Sequence, residues 1–363
     1  MADPIITARD VMSPDAPITA ADDTLYAACR QMHFGGMGSL PVIDAGGRCV
    51  GVLSSWDVVR AIGQDADIEI TTAGEVVGWD TVLHPDDDVE QVDGKGLVIP
   101  VVEDGLYVGA VGPGDAVAGR HLVTVLGPAV ARLDRTIAPG DKMYGGLRGP
   151  YLLAGISALG LIRTAMAQAG VQQDPEAVLD LPCGHGRVMR VLRAAFPDST
   201  LIACDIDRDG VDFCAQTFAA VPVYSDPDPA RVQIEQQVDL VWVGSLFTHI
   251  DPARWNDFLD LFARVLRPGG VIVLTTFDRP RLPYLGTMNL PDPARLLRER
   301  DERGVAFQSY LHDDGYGIAV ASAEHVREAL GGQFEVLGHE PLSLFQPLPT
   351  QDAWMCRRVG APA

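Results

Sequence analysis

Apolar positions in the second half of this chain come in short unbroken runs, and the stretches between them repeat with helical spacing. Residues 177–181, 201–206, 239–245 and 270–277 carry few polar side chains, the pattern of strands covered on both faces, and 221–225 reads as a further strand. Between 252 and 266 the apolar residues fall three and four apart, which predicts an amphipathic helix. Strands alternating with helices in this way predict an α/β fold with a doubly wound, mostly parallel sheet. Two last runs, 334–340 and 352–357, are separated by a segment holding Pro347 and Pro349. That short spacing suits an antiparallel hairpin better than a crossover helix.

The first third has a different rhythm. Residues 11–62 and 76–118 can be written over each other, PVIDAGGRCVGVLSSWDVV at 41–59 matching PVVEDGLYVGAVGPGDAV at 100–117 with one residue lost in the turn. Such a repeat implies two copies of one supersecondary unit packed as a pseudo-symmetric pair. Each copy reads strand, helix, strand, hairpin, strand, helix, and Asp44-Ala45-Gly46-Gly47 makes the hairpin turn of the first. The second copy is shortened in its first helix, between Val89 and Gly96. Residues 1–120 are therefore expected to form an α+β pair, 121–141 a linker ending in the breaker cluster Pro139-Gly140-Asp141, and 142–363 the α/β domain. Within that domain 278–321 reads as a long insertion after the fifth strand, placed to cap the carboxyl ends of the strands.

A chain of 363 residues is long for one core and suits two domains. Acidic residues outnumber basic ones 49 to 28, and the net charge of -21 repels nucleic acid and anionic membrane surfaces over most approaches. No apolar run is read as reaching the roughly twenty residues of a membrane span, and MADPIITARD at the start has neither a basic patch nor an apolar signal core. The expectation is a cytoplasmic protein that acts on neither nucleic acid nor membrane. Six cysteines are scattered without Cys-x-x-Cys spacing, Cys204 and Cys214 fit buried thiols in a reducing compartment, and the sequence shows no metal-ligand cluster.

The sharpest chemical signal is DLPCGHGR at 180–187, a strand end joined to a helix start through Gly184 and Gly186. Glycine lets the backbone turn tightly and approach a ligand, and the helix start offers unpaired N–H groups. Asp205 closes the second strand in LIACDID, where a carboxylate accepts from ribose hydroxyls. Both features serve NAD equally, but Met189 stands where the NAD fingerprint has its third glycine. DLVWVGSLFTHI at 239–250, the following helix and RPGGVIVLTTF at 267–277 complete a set that resembles the class I S-adenosyl-L-methionine-dependent methyltransferases. The resemblance implies a Rossmann-like seven-stranded sheet whose last strand is antiparallel. It also implies a cofactor site built from Asp180, Pro182, Cys183, Gly184 and Gly186, with Asp205 on the ribose and Ile206 against the adenine. Asp226 would reach the adenine amine, and Ser245 and Leu246 would line the sulfonium side.

In the repeat, Gly51-Val52-Leu53-Ser54-Ser55-Trp56-Asp57 resembles the signature of CBS domains, whose pairs commonly bind adenosine nucleotides and regulate an attached enzyme. The resemblance implies Ser54 and Asp57 on the phosphate and ribose of AMP or ATP. In the second copy Asp115 remains, but Gly112 replaces the hydroxyl residue. A degenerate module that only dimerises or docks is the alternative, and a homodimer is expected because CBS pairs often associate face to face.

Methyl transfer requires an aligned, desolvated acceptor and, for a hydroxyl, removal of its proton. His249, a few residues beyond the fourth strand, is the first candidate general base, with His312 and Asp313 of the cap as alternatives. A helix-capping role for His249 stays open, and an amine or thiolate acceptor needs no base. Tyr144, Arg148 and Tyr151 ahead of the first strand, and Tyr310 and Tyr316 in the cap, are the expected acceptor contacts, a packing helix with a snorkelling arginine being the alternative for the first three. The expected function is methyl transfer to oxygen or nitrogen of a small-molecule acceptor; a non-catalytic sensor of S-adenosyl-L-methionine and adenylate is the second reading.

Overall fold

The computed structural model describes residues 7–35, 37–78, 81–89, 98–112, 125–144, 148–280, 285–286, 288–342 and 351–360. The chain divides into two compact units, Met1–Gly127 with Lys142–Leu153, and Pro128–Asp141 with Ala154–Ala363. Residues 128–141, read from sequence as linker, thus belong to the second unit, and 142–153 to the first.

In the first unit, α1 (Ala8–Val11), β1 (Thr19–Ala20), α2 (Leu25–Gly35), β2 (Ser39–Ile43), β3 (Cys49–Ser54) and α3 (Ser55–Ile62) form the first copy. The second copy shows α4 (Ala73–Val76), β4 (Ile99–Glu103) and β5 (Leu106–Val111). Each copy opens on a one-turn helix held by a capping box, Thr7 with Asp10 and Thr72 with Glu75. Strand β2 pairs in parallel with β1 and antiparallel with β3, and the second copy repeats this with a parallel bridge from Leu83 to Val101 and the β4–β5 hairpin. Ala8 and Val11 of α1 pack into the core of the second copy with Leu83, Ile99 and Val101. Ala73 of α4 packs with Leu25, Leu40 and Leu53 of the first. Each leading turn completes the other copy's core, so burial ties the repeats together.

The second unit is built on the strands β6 (Ala177–Asp180), β7 (Thr200–Asp205), β8 (Val221–Tyr224), β9 (Val238–Val243), β10 (Leu266–Thr276), β13 (Phe334–Leu342) and β14 (Gln351–Arg358), in the order β13-β14-β10-β9-β6-β7-β8. The first five run parallel, and β14 lies antiparallel to both β10 and β13. Strand β6 is buried throughout, as its unbroken apolar run requires. Chain order reverses between β6 and β9, which opens a crevice at their carboxyl ends.

Helix α5 (Arg148–Gln168) precedes the sheet, and α6 (Met189–Ala195), α7 (Arg208–Phe218) and α8 (Trp255–Val265) connect its strands. The expectation that no segment matches a membrane span needs correction: Tyr151–Gln168 is long and apolar enough by composition, with mean hydropathy 1.2. Since 61% of that window is buried inside the fold, the apolarity is that of a core helix. After β10 come α9 (Pro293–Arg303) and the hairpin of β11 (Val305–Tyr310) and β12 (Asp313–Ala321), packed around Phe277, Leu285, Leu296 and Ile318. Helix α10 (Ala323–Leu330) then leads to β13.

Candidate functional site

The loop leaving β6 is shaped by what lies behind it. A Cβ on Gly186, at φ 77°, would fall 2.3 Å from the Phe218 ring, so only glycine lets the loop lie on α7. Gly210 does the reverse service, since a Cβ there would come within 2.4 Å of the Gly184 carbonyl. Around Gly184 itself a Cβ would meet nothing within 4 Å, and this side of the loop is open. Arg190, 1% exposed, donates to the Gly186 carbonyl at 3.2 Å and to those of Asp134 and Thr136, with its guanidinium over Phe218. Gly210 and Arg190 escape sequence reasoning: an arginine spaced like its apolar neighbours was the available signal. The thiols of Cys183 and Cys214 point at the Gly184 carbonyl. A hydrogen bond that the Cys183 thiol makes with Cys214, then burial, pushes the Cys183 thiol up, so it acts as a neutral packing group.

Two carboxylates flank this loop. Asp205 accepts from Gly184 N–H at 2.7 Å and from Asp207 N–H at 2.9 Å, which fixes it at the end of β7 with lone pairs to spare. Asp180 is 1% exposed, and neither of its oxygens has a partner. Burial above all, then the charge of Asp205, holds its carboxyl well above the usual range, and Arg187 opposes them. Ile206 beside Asp205 is 64% exposed, an apolar side chain standing free. Asp226 receives the Asp228 N–H at 2.8 Å through one oxygen. Pro182 and Leu246 are half-buried.

Past β9 the chain turns sharply at Ser245, with φ of 62°. The turn ends in His249, whose Nδ1 lies 2.8 Å from the Gly317 carbonyl of β12. A carbonyl only accepts, so Nδ1 carries the proton and the neutral ring keeps its lone pair on Nε2. Burial lowers the pKa of His249 and so favours this neutral form, while the Gly317 hydrogen bond acts in the opposite direction. Tyr316 stacks on the imidazole with centroids 5.2 Å apart, and the Tyr310 hydroxyl lies 3.1 Å from Nδ1. Partial burial, then the carboxylates of Asp205 and Asp313, raises the Tyr316 phenol.

The structure therefore brings together Asp180, Gly184, Gly186 and Asp205 on one side, and His249, Tyr310 and Tyr316 on the other. His312 and Asp313 sit exposed at the turn of the cap hairpin. Tyr144, Arg148 and Tyr151 belong to the first unit, where the Tyr144 hydroxyl donates to Asp15 at 2.8 Å, Arg148 N–H donates to Ser13, and Tyr151 packs edge-on against Tyr144. Their observed partners are those of a packed segment. Ser54 and Asp57 meet each other: the Asp57 carboxylate accepts from Ser54 N–H at 2.9 Å and Ser54 O–H at 2.5 Å, and its second oxygen binds Arg60 at 2.8 Å. This is a capping box at the start of α3. Asp115 lies outside the described residues.

Residues 178–270 match the family model described as methyltransferase domain, and residues 8–64 the one described as CBS domain. The chain is 31% identical over 144 residues to a fatty-acid O-methyltransferase of Mycolicibacterium smegmatis, covering 39% of this chain and 51% of that protein. It is 21% identical over 172 residues to the tRNA N(3)-methylcytidine methyltransferase trm140 of Schizosaccharomyces pombe, 45% of this chain and 52% of that one. The chain thus spans about half the length of these curated relatives. Among solved structures, the CBS domain pair of protein MJ0100 in complex with 5'-methylthioadenosine and S-adenosyl-L-methionine is 29% identical over 31% of this chain and 93% of that one, with a TM-score of 0.27.

Proposed function

From a chain that joins a CBS segment to a methyltransferase domain, we propose an S-adenosyl-L-methionine-dependent methyltransferase of a small-molecule acceptor. The observation that carries the reading is Asp180, a buried carboxylate with two orphaned oxygens beside an open glycine turn. A buried unpaired acid is costly, and a ligand ammonium such as that of a methionine moiety relieves it. Asp205 then takes the ribose, and Ile206 offers its exposed side to adenine. S-adenosyl-L-methionine supplies, when bound, a methyl group made electrophilic by a sulfonium centre. What the protein adds is position and a proton acceptor. His249, kept neutral with its Nε2 lone pair available, takes the proton of a hydroxyl acceptor, while Tyr310 and Tyr316 wall the place where that acceptor lies. A net charge of -21 supports a small acceptor over a polyanion, although one relative acts on tRNA. The CBS segment is proposed as an adenylate-responsive, dimerising regulator in a cytoplasmic enzyme.

Calorimetry of the full chain with S-adenosylhomocysteine, AMP and NADH in turn tests this. S-adenosylhomocysteine binding without NADH binding supports the proposal; binding of NADH alone overturns it. Asp205→Ala should lose most of the S-adenosylhomocysteine affinity with the fold intact, and unchanged affinity removes that residue from the site.

A further inference from the structure

The turn between β9 and His249 is held in a conformation that its own sequence does not favour. Gly244 precedes it, yet the positive φ falls on Ser245, at 62°, a region that residues with a Cβ seldom occupy. Gly244 is needed for another reason: a Cβ there would lie 2.8 Å from the Trp242 indole. Every hydrogen-bonding group of Ser245 is engaged by a side chain. Its N–H donates to Thr275 Oγ1 at 2.8 Å, its carbonyl accepts from Thr248 Oγ1 at 2.9 Å, and its hydroxyl lies 3.0 Å from Gln351 Nε2. Thr275 and Gln351 are 0% and 5% exposed and stand on β10 and β14. Two core strands therefore clamp one strained residue, and the turn it starts continues through the His249 N–H to Leu246 carbonyl bond at 2.9 Å.

We propose that Thr275 and Gln351 are positioning residues that act through the left-handed backbone of Ser245 to aim His249 and the sulfonium side of the site. The inference rests on the functional reading above for the identity of the ligand, but the clamp itself is read from the chain alone. Without Gln351 the serine loses a partner that offsets its strain, and the turn relaxes toward ordinary φ. Glycine at 245 needs no such support, because positive φ costs it nothing.

The experiment is a double-mutant cycle on the full chain: Gln351→Ala in the wild-type and Ser245→Gly backgrounds, with Thr275→Val and Thr275→Ser as a second pair. Two readouts are taken, S-adenosylhomocysteine affinity by calorimetry and the His249 imidazole nitrogen shifts with their pH titration by NMR. Gln351→Ala should weaken binding about tenfold and move the His249 titration in the serine background, and do neither in the glycine background. Thr275→Val should behave likewise and Thr275→Ser should not. Equal effects of Gln351→Ala in both backgrounds, or none in either, overturn the proposal. Wild-type protein that ignores S-adenosylhomocysteine sinks the functional reading instead, and the His249 titration then still decides the clamp.

Discussion

At the scale of single residues, burial moves two ionisable groups in opposite ways. The Asp180 carboxyl is raised by burial, so folded protein without ligand favours its protonated form. An ammonium arriving beside it restores the charge and expels the proton. S-adenosylhomocysteine binding should therefore release a proton and strengthen as pH rises, and Asp180→Asn should abolish the release; calorimetry in buffers of different ionisation enthalpy reads both. His249 moves the other way, its pKa lowered from 6.5 by burial. Because the unfolded chain binds the proton more readily, the contribution of His249 to stability is complete above the unfolded pKa and is lost as pH falls through it toward the lower folded value. The rate should follow the same group, with kcat/KM flat above neutrality and falling in acid. His249→Gln should lower kcat about a hundredfold or more and remove that acid limb; a pH profile of the variant parallel to wild type would assign the limb elsewhere.

Among elements, close approaches decide more than propensity. Strand β12 reaches the β9 turn through Gly317 N–H to His249 carbonyl at 3.0 Å and Ala319 N–H to Thr248 carbonyl at 2.9 Å. A Cβ on Gly317 would lie 1.9 Å from the Gln308 carbonyl, so Gly317→Ala should push β11 and β12 apart and cost about 1–3 kcal/mol of stability. Thermal unfolding measures that loss, together with loss of the His249 contact. At the start of α3 the capping box makes Asp57 a structural residue whatever ligand the segment takes. Asp57→Ala should destabilise the first unit by about 1 kcal/mol, visible as an earlier melting transition. A variant that melts like wild type would show the cap to be dispensable.

For the whole molecule, charge bears on the proposed acceptor. A chain at -21 has little to offer a phosphate backbone, while two of its relatives are named as methyltransferases of fatty acid and of tRNA. Filter binding with bulk tRNA at physiological salt should show no retention. Salt-dependent retention, steepening as salt is lowered, would instead reveal a local basic track and reopen nucleic acid as acceptor.

Period and punctuation made the seven strands of the large sheet and the hairpins of the first unit readable, since an apolar run of β length bounded by turn residues has few other stable fates; the β11–β12 hairpin, set in a polar insertion, was not readable. The glycine turn and Asp205 were legible for the same local reason, since a tight turn and a strand-end carboxylate are fixed by neighbours in the chain. The repeat was legible too, but not that each copy's leading turn fills the other's core, because Ala8 and Ala73 carry no mark of which copy buries them. Tertiary structure alone decided that Tyr144 and Tyr151 pack in the first unit, that Ser245 rather than Gly244 bends backward, and that Gly317 sets the tautomer of His249. Those outcomes depend on groups many residues apart in sequence, brought together by burial. Sequence alone determined the elements and the chemistry available to them; packing determined which side chains meet and which proton each one holds.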